Sequence, residues 1–243
     1  MAKKLVKKGK WWFRGLKRLM TLRYKPTNFV YLGDEFENGS LILSNHEGTD
    51  APMALEMYLD KPMRMWGAHE MNSGLIKMYK YQTRVYYHEK KHWNLHLARL
   101  FCLIASPLTN LFYKGFNLIS TYKDQRFFKT IKESFETVKG GESIVVFPED
   151  SSKGYLAELE GLFEGFRVFA DYSLKKGIDL PIVISYFRKA ENTYVFDKPI
   201  KYSKLLETYG SKDALVKALL DRCNYIGNTP LETLMAEKEK AVA

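Results

Sequence analysis

The sequence predicts an α/β fold in which a mixed, largely parallel sheet is covered by helices. Short apolar runs alternate along the chain with longer segments of helical periodicity. Several of these runs are continuously apolar, which is typical of strands buried on both faces. A length of 243 residues with 46% hydrophobic residues suits a single globular domain that has its own core.

The predicted strands and helices follow one another from residue 28 onward. The first two strands are NFVYLG (28–33) and LILSN (41–45), joined by a turn that contains Asn38 and Gly39. Pro52 is expected to open a helix, because proline fits the first helical turn. The elements predicted after it are a strand at MRMW, mostly helical structure over 72–116, a helix over 124–138, the strand SIVVFPE, the helix LFEGFRVFADYSLKKG, the strands LPIVISYF and TYVFDKPI, and helices to the end.

The N-terminal arm carries the positive excess of the chain. Residues 1–25 contain ten lysines and arginines and no acidic residue, and the formal net charge is +10. Apolar side chains recur on one helical face of the arm, at Leu5, Val6, Trp12, Phe13, Leu16, Leu19 and Met20. A basic face opposite an aromatic and aliphatic face is typical of a helix in a membrane interface. We therefore predict such an amphipathic helix over 1–25 and one domain over 26–243, and favour an anionic membrane over a solvated arm or a nucleic-acid partner.

The expected location is the cytoplasmic face of a membrane, as a peripheral or monotopic protein. Cys102 and Cys223 have no framework spacing, which indicates a reducing compartment. The longest apolar stretch, residues 97–116, includes two basic residues and Pro107, so it lacks the uninterrupted length of a clear spanning helix. We predict a bent pair of helices there, either in the core or dipped into the membrane interface.

The first candidate site lies where the strand LILSN ends. His46 follows this strand, and Asp50 stands four residues later, where a helix is predicted to begin. On helical backbone this separation puts both side chains on one face. A carboxylate could then hold one imidazole nitrogen and leave the other as a base. The alternative is an N-cap at Thr49 or Asp50 beside an ordinary turn histidine.

The second candidate site is the loop that follows the strand SIVVFPE. It begins with Phe147, Pro148 and Glu149 and continues as DSSKG (150–154), which offers hydroxyls and a cation. Loops at the carboxyl ends of α/β strands are where ligands bind. The alternative is a solvated acidic turn.

A row of histidines forms a competing third site. His88, Glu89 and His92 match the zinc-protease pattern, and His96 follows one helical turn later. On a continuous helix the three histidines would share one face and could bind zinc. The lysines between them favour a solvated polar face instead, so no metal site is predicted.

The first two sites together resemble a known family. The block from Asn45 to Asp50, followed far downstream by the block from Phe147 to Glu149, resembles the N-H-x4-D and F-P-E-G motifs of the glycerolipid acyltransferases, the lysophosphatidate acyltransferase-like enzymes. The strand LPIVISYF is similar to a later proline-led strand of that family, and LFEGFRVFA is similar to its F-K-x-G segment. The resemblance extends over about residues 28–200 and implies a glycerol-phosphate acyltransferase-like fold with an enlarged insert at 72–116.

The chain departs from the family mainly at positions that hold the phosphate of the acceptor. Those departures are Asp150 in place of glycine, Ser152 in place of arginine, Glu164 in place of lysine, and Ser120 or Thr121 in place of arginine. The spacing between His46 and Asp50 is also one residue short. The predicted catalytic pair is kept while several cations are missing, so we expect an acceptor without a terminal phosphate monoester.

The resemblance implies acyl transfer without a cofactor. The donor would be acyl-CoA or acyl carrier protein, and the acceptor a hydroxyl of a lyso-lipid, glycerol phosphate or glycolipid. His46 would be the general base and Asp50 would hold and charge-balance its imidazole, with backbone N–H groups at 48–51 as candidates for oxyanion stabilisation. The expected substrate-binding residues are Asn45, Gly48, Phe147, Pro148, Glu149, Ser151, Ser152, Lys153, Gly165 and Arg167.

Two other classes of protein stay open at this point. One is a catalytically weak lipid-binding protein on the same scaffold, which the missing cations permit. The other is a zinc-dependent hydrolase that uses His88 and His92.

Overall fold

The computed structural model describes residues 9–149 and 158–242. Its strands are β1 Asn28–Tyr31, β2 Leu41–Ser44, β3 Met63–Ala68, β4 Ile119–Thr121, β5 Ser143–Val146, β6 Pro181–Arg188, β7 Thr193–Phe196 and β8 Ile200–Lys201. They form one mixed sheet in the order β1-β7-β6-β2-β5-β3-β4, with β8 paired to β6. Only the β6–β7 and β6–β8 pairings are antiparallel among the described strands. The predicted α/β class with a mixed, mostly parallel sheet is confirmed.

Helices cover the sheet. They are α1 Trp11–Met20, α2 Asp50–Tyr58, α3 His69–Asn72, α4 Leu75–Tyr81, a π-helix at Gln82–Lys90, α5 Leu95–Phe116, α6 Phe127–Lys139, α7 Gly165–Lys175, α8 Tyr202–Tyr209, α9 Lys212–Asn228 and α10 Leu231–Val242. α2 begins at Asp50, where the first candidate site required a helix start, and it includes Pro52 in its first turn. The α3–α5 region is helical as predicted for 72–116.

The continuous apolar runs of the central strands are explained by two hydrophobic layers. Leu41 and Leu43 of β2 lie in one buried cluster, whereas Ile42 between them lies in the other. The first cluster is completed by α6, α7 and α9, and the second by α1, α2 and α5. Successive side chains of a strand point to opposite faces of the sheet. When helices cover both faces, the side chains on each face must therefore be apolar. Each such buried side chain contributes about 1.5–3 kcal/mol.

The first two strands are not neighbours in the sheet, although they are consecutive in sequence. β7 and β6 lie between β1 and β2. Both edges of β2 are occupied by parallel partners, β5 and β6. Residues 32–40 therefore cross from one position in the sheet to another.

The described part of the N-terminal arm, α1, is packed on the domain. Phe13 is buried against Phe112 of α5, with ring centroids 5.3 Å apart. A Cβ at Gly115 would lie 2.1 Å from the Phe13 ring, so only glycine permits this approach. The amine of buried Lys17 contacts the Glu56 carboxylate of α2 at 2.8 Å.

The apolar face of α1 is thus directed mainly toward protein. Trp12, Leu16 and Met20 also pack against the second cluster, whereas Leu19 is exposed. Leu5 and Val6, which belong to the same predicted face, lie outside the described residues.

The longest helix is a single element, so the prediction of a bent helix pair at 97–116 is wrong. α5 continues through Pro107 over 22 residues. Proline removes one backbone donor, but helices in proteins are stabilised mostly by packing of their inner face. Of the helices that the structure describes, α5 is the one long and apolar enough to cross a membrane.

Candidate functional site

The two predicted motif blocks meet at the carboxyl edge of the sheet. β2 is paired in parallel with β5 on one side and with β6 on the other. The residues that follow these strands therefore emerge at the same edge, where α/β proteins bind ligands. His46 follows β2, and Glu149 follows β5.

Glu149 holds the histidine loop directly. Its carboxylate Oε2 accepts a hydrogen bond from the His46 backbone N–H at 2.7 Å, across 103 residues of sequence. The side chain is buried, and its backbone forms a short bridge with Leu162. The sequence assigned Glu149 to the acceptor hydroxyls, and the structure adds a contact that fixes the position of His46.

The His46 ring lies in a setting that keeps it neutral. The residue is partly exposed, but its ring atom Nδ1 is buried, and the ring packs on Phe147 with ring centroids 4.9 Å apart. The pKa of His46 is lowered to about 4, mainly by burial and to a smaller extent by the positive charge of Lys90, while a hydrogen bond with the Gly48 backbone acts in the opposite direction. A neutral imidazole at neutral pH is the form that a general base requires.

The turn between His46 and α2 has unusual backbone angles. Glu47 has φ 41° and Gly48 has φ 66°. Glycine adopts this left-handed region without strain, whereas a glutamate there is uncommon, and such residues cluster at functional sites. The turn leads into Thr49, the N-cap of α2, whose hydroxyl is 2.9 Å from the Tyr24 hydroxyl. The expected substrate contact of Gly48 stays a prediction.

Asn45 positions the loop, and its expected contact with substrate stays a prediction. Its Oδ1 accepts from the Phe187 N–H at 2.7 Å and its Nδ2 donates to the Phe187 carbonyl at 3.2 Å. The side chain is buried. Both ends of the amide are thus bonded to the backbone of β6, just beyond the last paired residue of β2.

Asp50 forms ion pairs that the sequence did not indicate. Its Oδ2 lies 3.0 Å from the Lys189 amine and its Oδ1 lies 3.5 Å from the Arg23 guanidinium. The expected support of the His46 imidazole by Asp50 stays a prediction. The position of Lys189, just after β6, was the available signal, because this strand also ends at the carboxyl edge.

The remaining predicted binding residues divide into two groups. Ser151, Ser152 and Lys153 lie outside the described residues. Pro148 and Gly165 have structural contacts: the Pro148 carbonyl accepts from the Phe163 N–H at 2.6 Å, and a Cβ at Gly165 would lie 3.0 Å from Phe127.

Arg167 is engaged with two carboxylates. Its Nε donates to Glu164 at 2.7 Å and its Nη1 lies 3.4 Å from Asp171. The positive charge of Arg167, which was expected to bind the acceptor, is thus already balanced by carboxylates of α7 and its N-cap.

The histidine row does not form a metal site in the described part of the chain. The π-helix ends at Lys90 and α5 begins at Leu95, so the three histidines do not share one helix face. His92 has φ 55° within this break, and the His88 ring is hydrogen-bonded to the Trp93 carbonyl at 2.8 Å. The described residues contain no group of three side chains suited to a metal. The helical premise of the zinc hydrolase alternative is therefore wrong.

Comparisons with protein-family models and with curated proteins found no match to this chain.

Proposed function

We propose that this chain is a membrane-associated O-acyltransferase that moves a fatty acyl group from a thioester donor to a hydroxyl of a lipid acceptor. The donor is acyl-CoA or acyl carrier protein, and the acceptor is a lyso-lipid, glycerol phosphate or glycolipid. The observation that carries the proposal is the 2.7 Å hydrogen bond from the His46 backbone to Glu149. It joins the two blocks on which the resemblance depends, at the edge of the sheet where ligands bind.

His46 supplies the central chemical step. Its neutral imidazole takes the proton of the acceptor hydroxyl, and the oxygen attacks the thioester carbonyl. The tetrahedral intermediate collapses, the C–S bond breaks, and the proton passes from His46 to the departing thiolate. A thiolate is already a good leaving group, so no covalent enzyme intermediate is needed. A positioned base of this kind contributes a factor on the order of 10² to 10⁴.

The outer face of α5 supports the membrane part of the proposal. Its apolar residues are between 45% and 82% exposed, at Leu97, Leu100, Phe101, Leu103, Ile104, Leu108 and Leu111. Its inner face includes polar or small residues at Ala98, Cys102, Ser106 and Asn110. This pattern is inverted relative to a helix of a soluble domain, and large exposed apolar patches mark interaction sites. With α1 turned toward protein, α5 is the better candidate for the membrane contact.

A lipid-binding protein on the same scaffold is the second candidate. The ion pairs of Asp50 with Lys189 and Arg23 favour it, because they engage the carboxylate that was expected to support His46. Turnover separates the two candidates, since a lipid-binding protein releases no thiol.

The test is release of free thiol from acyl-CoA with a panel of lyso-lipids and glycolipids, with products identified by mass spectrometry. His46→Ala is expected to lower kcat/KM by at least about 10². His96→Ala, at an exposed position in the first turn of α5, is the matched control and should retain activity. Activity of His46→Ala within tenfold of wild type would contradict the role of His46 as a general base.

The pH profile gives an independent readout of the same group. With its pKa lowered to about 4, His46 stays unprotonated as the pH falls from 8 through the ordinary histidine range near 6.5. We therefore expect kcat/KM to show no loss from this group above about pH 5 and to fall as the pH approaches 4. A titration of kcat/KM near pH 6.5 that disappears in His46→Ala would show that the ring is solvated during catalysis.

A further inference from the structure

A cavity of about 260 Å³ opens beside Asp50, next to the end of β6. Residues from three parts of the chain line it, namely Arg23 and Lys25 after α1, Asp50 in α2, and Phe187, Lys189 and Asn192 at the β6–β7 connection. None of these residues except Asp50 belongs to the predicted site.

The cavity has more positive than negative charge on its wall. Arg23, Lys25 and Lys189 face a single lining carboxylate, Asp50. Lys189 lies 3.0 Å from Asp50, and it also lies 3.7 Å from Glu47 on the turn after His46. The hydrogen bond to Asp50 raises the pKa of the Lys189 amine, so it is charged at neutral pH. Even with Glu47 counted, one positive charge remains to be balanced.

The two cations that meet at Asp50 are accessible to a ligand. The side chains of Arg23 and Lys189 are 68% and 58% exposed, whereas Asp50 between them is 12% exposed. The carboxylate thus orients the cations from behind while their outer donors face solvent. An arginine fork combined with a lysine is suited to phosphate oxygens.

The size of the cavity limits what it can hold. A volume of about 260 Å³ lies below the roughly 300–1,000 Å³ of pockets for whole drug-sized ligands. It suits one charged group of a larger molecule. Because Glu47 and Asp50 belong to the turn and helix that follow His46, that group would be held next to the proposed base.

We infer that this cavity binds a phosphate group of one of the two substrates, through Arg23, Lys25 and Lys189. The inference rests on the proposed function and specifies its substrates further. These cations come from positions outside the motifs, and they would supply positive charge to a chain that lacks several motif cations. The phosphate belongs either to the acceptor or to the nucleotide part of acyl-CoA.

Calorimetric titration of the full chain tests the inference without requiring turnover. The probes are glycerol 3-phosphate for the acceptor, adenosine 3′,5′-bisphosphate for the donor, and glycerol as the neutral control. The variants are Lys189→Gln and Arg23→Gln. The matched control is Lys139→Gln, an exposed lysine that is also paired to a carboxylate, Glu136, but lies on α6.

One phosphate probe is expected to bind wild type and the Lys139→Gln control equally, and to bind both cavity variants at least about tenfold more weakly. The probe that shows this pattern identifies the substrate. Absence of binding by both probes, or equal weakening in the control, would overturn the inference. Binding that is retained without any acyl transfer would instead refute the proposed function alone.

Discussion

At the scale of single residues, the side chains around His46 mainly position it. Glu149 accepts a hydrogen bond from the His46 backbone N–H, and the preceding residue, Asn45, is hydrogen-bonded to β6. Phe147 packs on the ring. A displacement of about 1 Å at a reacting group can cost about 10² in rate, so residues that hold the loop can affect turnover strongly.

The two functions considered for Glu149 lead to different results for two substitutions. Glu149→Gln keeps an oxygen that can accept the His46 N–H but removes the charge, whereas Glu149→Ala removes both. If Glu149 positions His46, we expect Glu149→Ala to lower kcat by about 10- to 100-fold and Glu149→Gln to stay within about tenfold of wild type. The KM for the thioester donor should change little in either variant.

Steady-state kinetics with the acceptor varied at fixed donor provide the measurement. Equal loss in both variants, seen mainly as a raised KM for the acceptor, would show that the carboxylate charge binds the acceptor hydroxyls.

The sequence could predict that His46 and Glu149 meet at the site, but it could not predict the ion-pair partners of Asp50. His46 and Glu149 each follow a buried strand, and parallel strands end at one edge, so their proximity follows from local patterns. The contact of Asp50 with Arg23 depends on where the segment after α1 passes in three dimensions. Nothing in the local sequence around Asp50 encodes that path.

At the scale of elements, α1 has the amphipathic pattern of a membrane-interface helix but packs on the protein itself. Its apolar face packs on the second hydrophobic cluster, and Lys17 is buried beside Glu56. The positions of strands and helices could be predicted from periodicity, because burial of one or both faces determines the spacing of apolar residues within each segment. The order of the strands in the sheet could not be predicted in this way, because pairing partners are set by distant parts of the chain.

The buried ion pair of α1 gives a test of its docking. Lys17→Met keeps the apolar stem but leaves Glu56, which is 13% exposed, without the amine at 2.8 Å. We expect the free energy of unfolding to fall by about 3 kcal/mol, at the lower end for a broken buried pair. Adding Glu56→Gln removes the carboxylate charge that Lys17 faces, so the double variant should recover a large part of this loss.

Urea denaturation of the two variants and wild type checks this, with Arg18→Met as the control on the exposed side of the same helix. An unfolding midpoint of Lys17→Met equal to that of Arg18→Met would mean that α1 is not docked in solution.

At the scale of the whole molecule, the proposed membrane contact would combine two kinds of attraction in one chain. The basic residues of the first 25, apart from the buried Lys17, would provide a long-range attraction to an anionic surface. The outer face of α5 would provide apolar contact area. Salt separates the two, because the screening length falls from about 10 Å at 0.1 M to about 3 Å at 1 M, whereas apolar burial is not weakened by salt.

Cosedimentation with anionic vesicles at low and high salt can therefore assign the contact. Leu100, Ile104 and Leu108 are 65%, 82% and 61% exposed, so replacing all three with Gln should disturb the fold little. We expect wild type to remain bound at 0.5 M NaCl and the triple variant to bind at least about 100-fold more weakly there, since each side chain contributes about 1 kcal/mol or more. At low salt the variant should still bind in part through its basic residues.

Phe128→Gln with Val168→Gln is the matched control, since these exposed apolar residues lie on α6 and α7 on the opposite side of the sheet. Release of wild type by salt alone would show that charge, and not α5, holds the protein at the membrane.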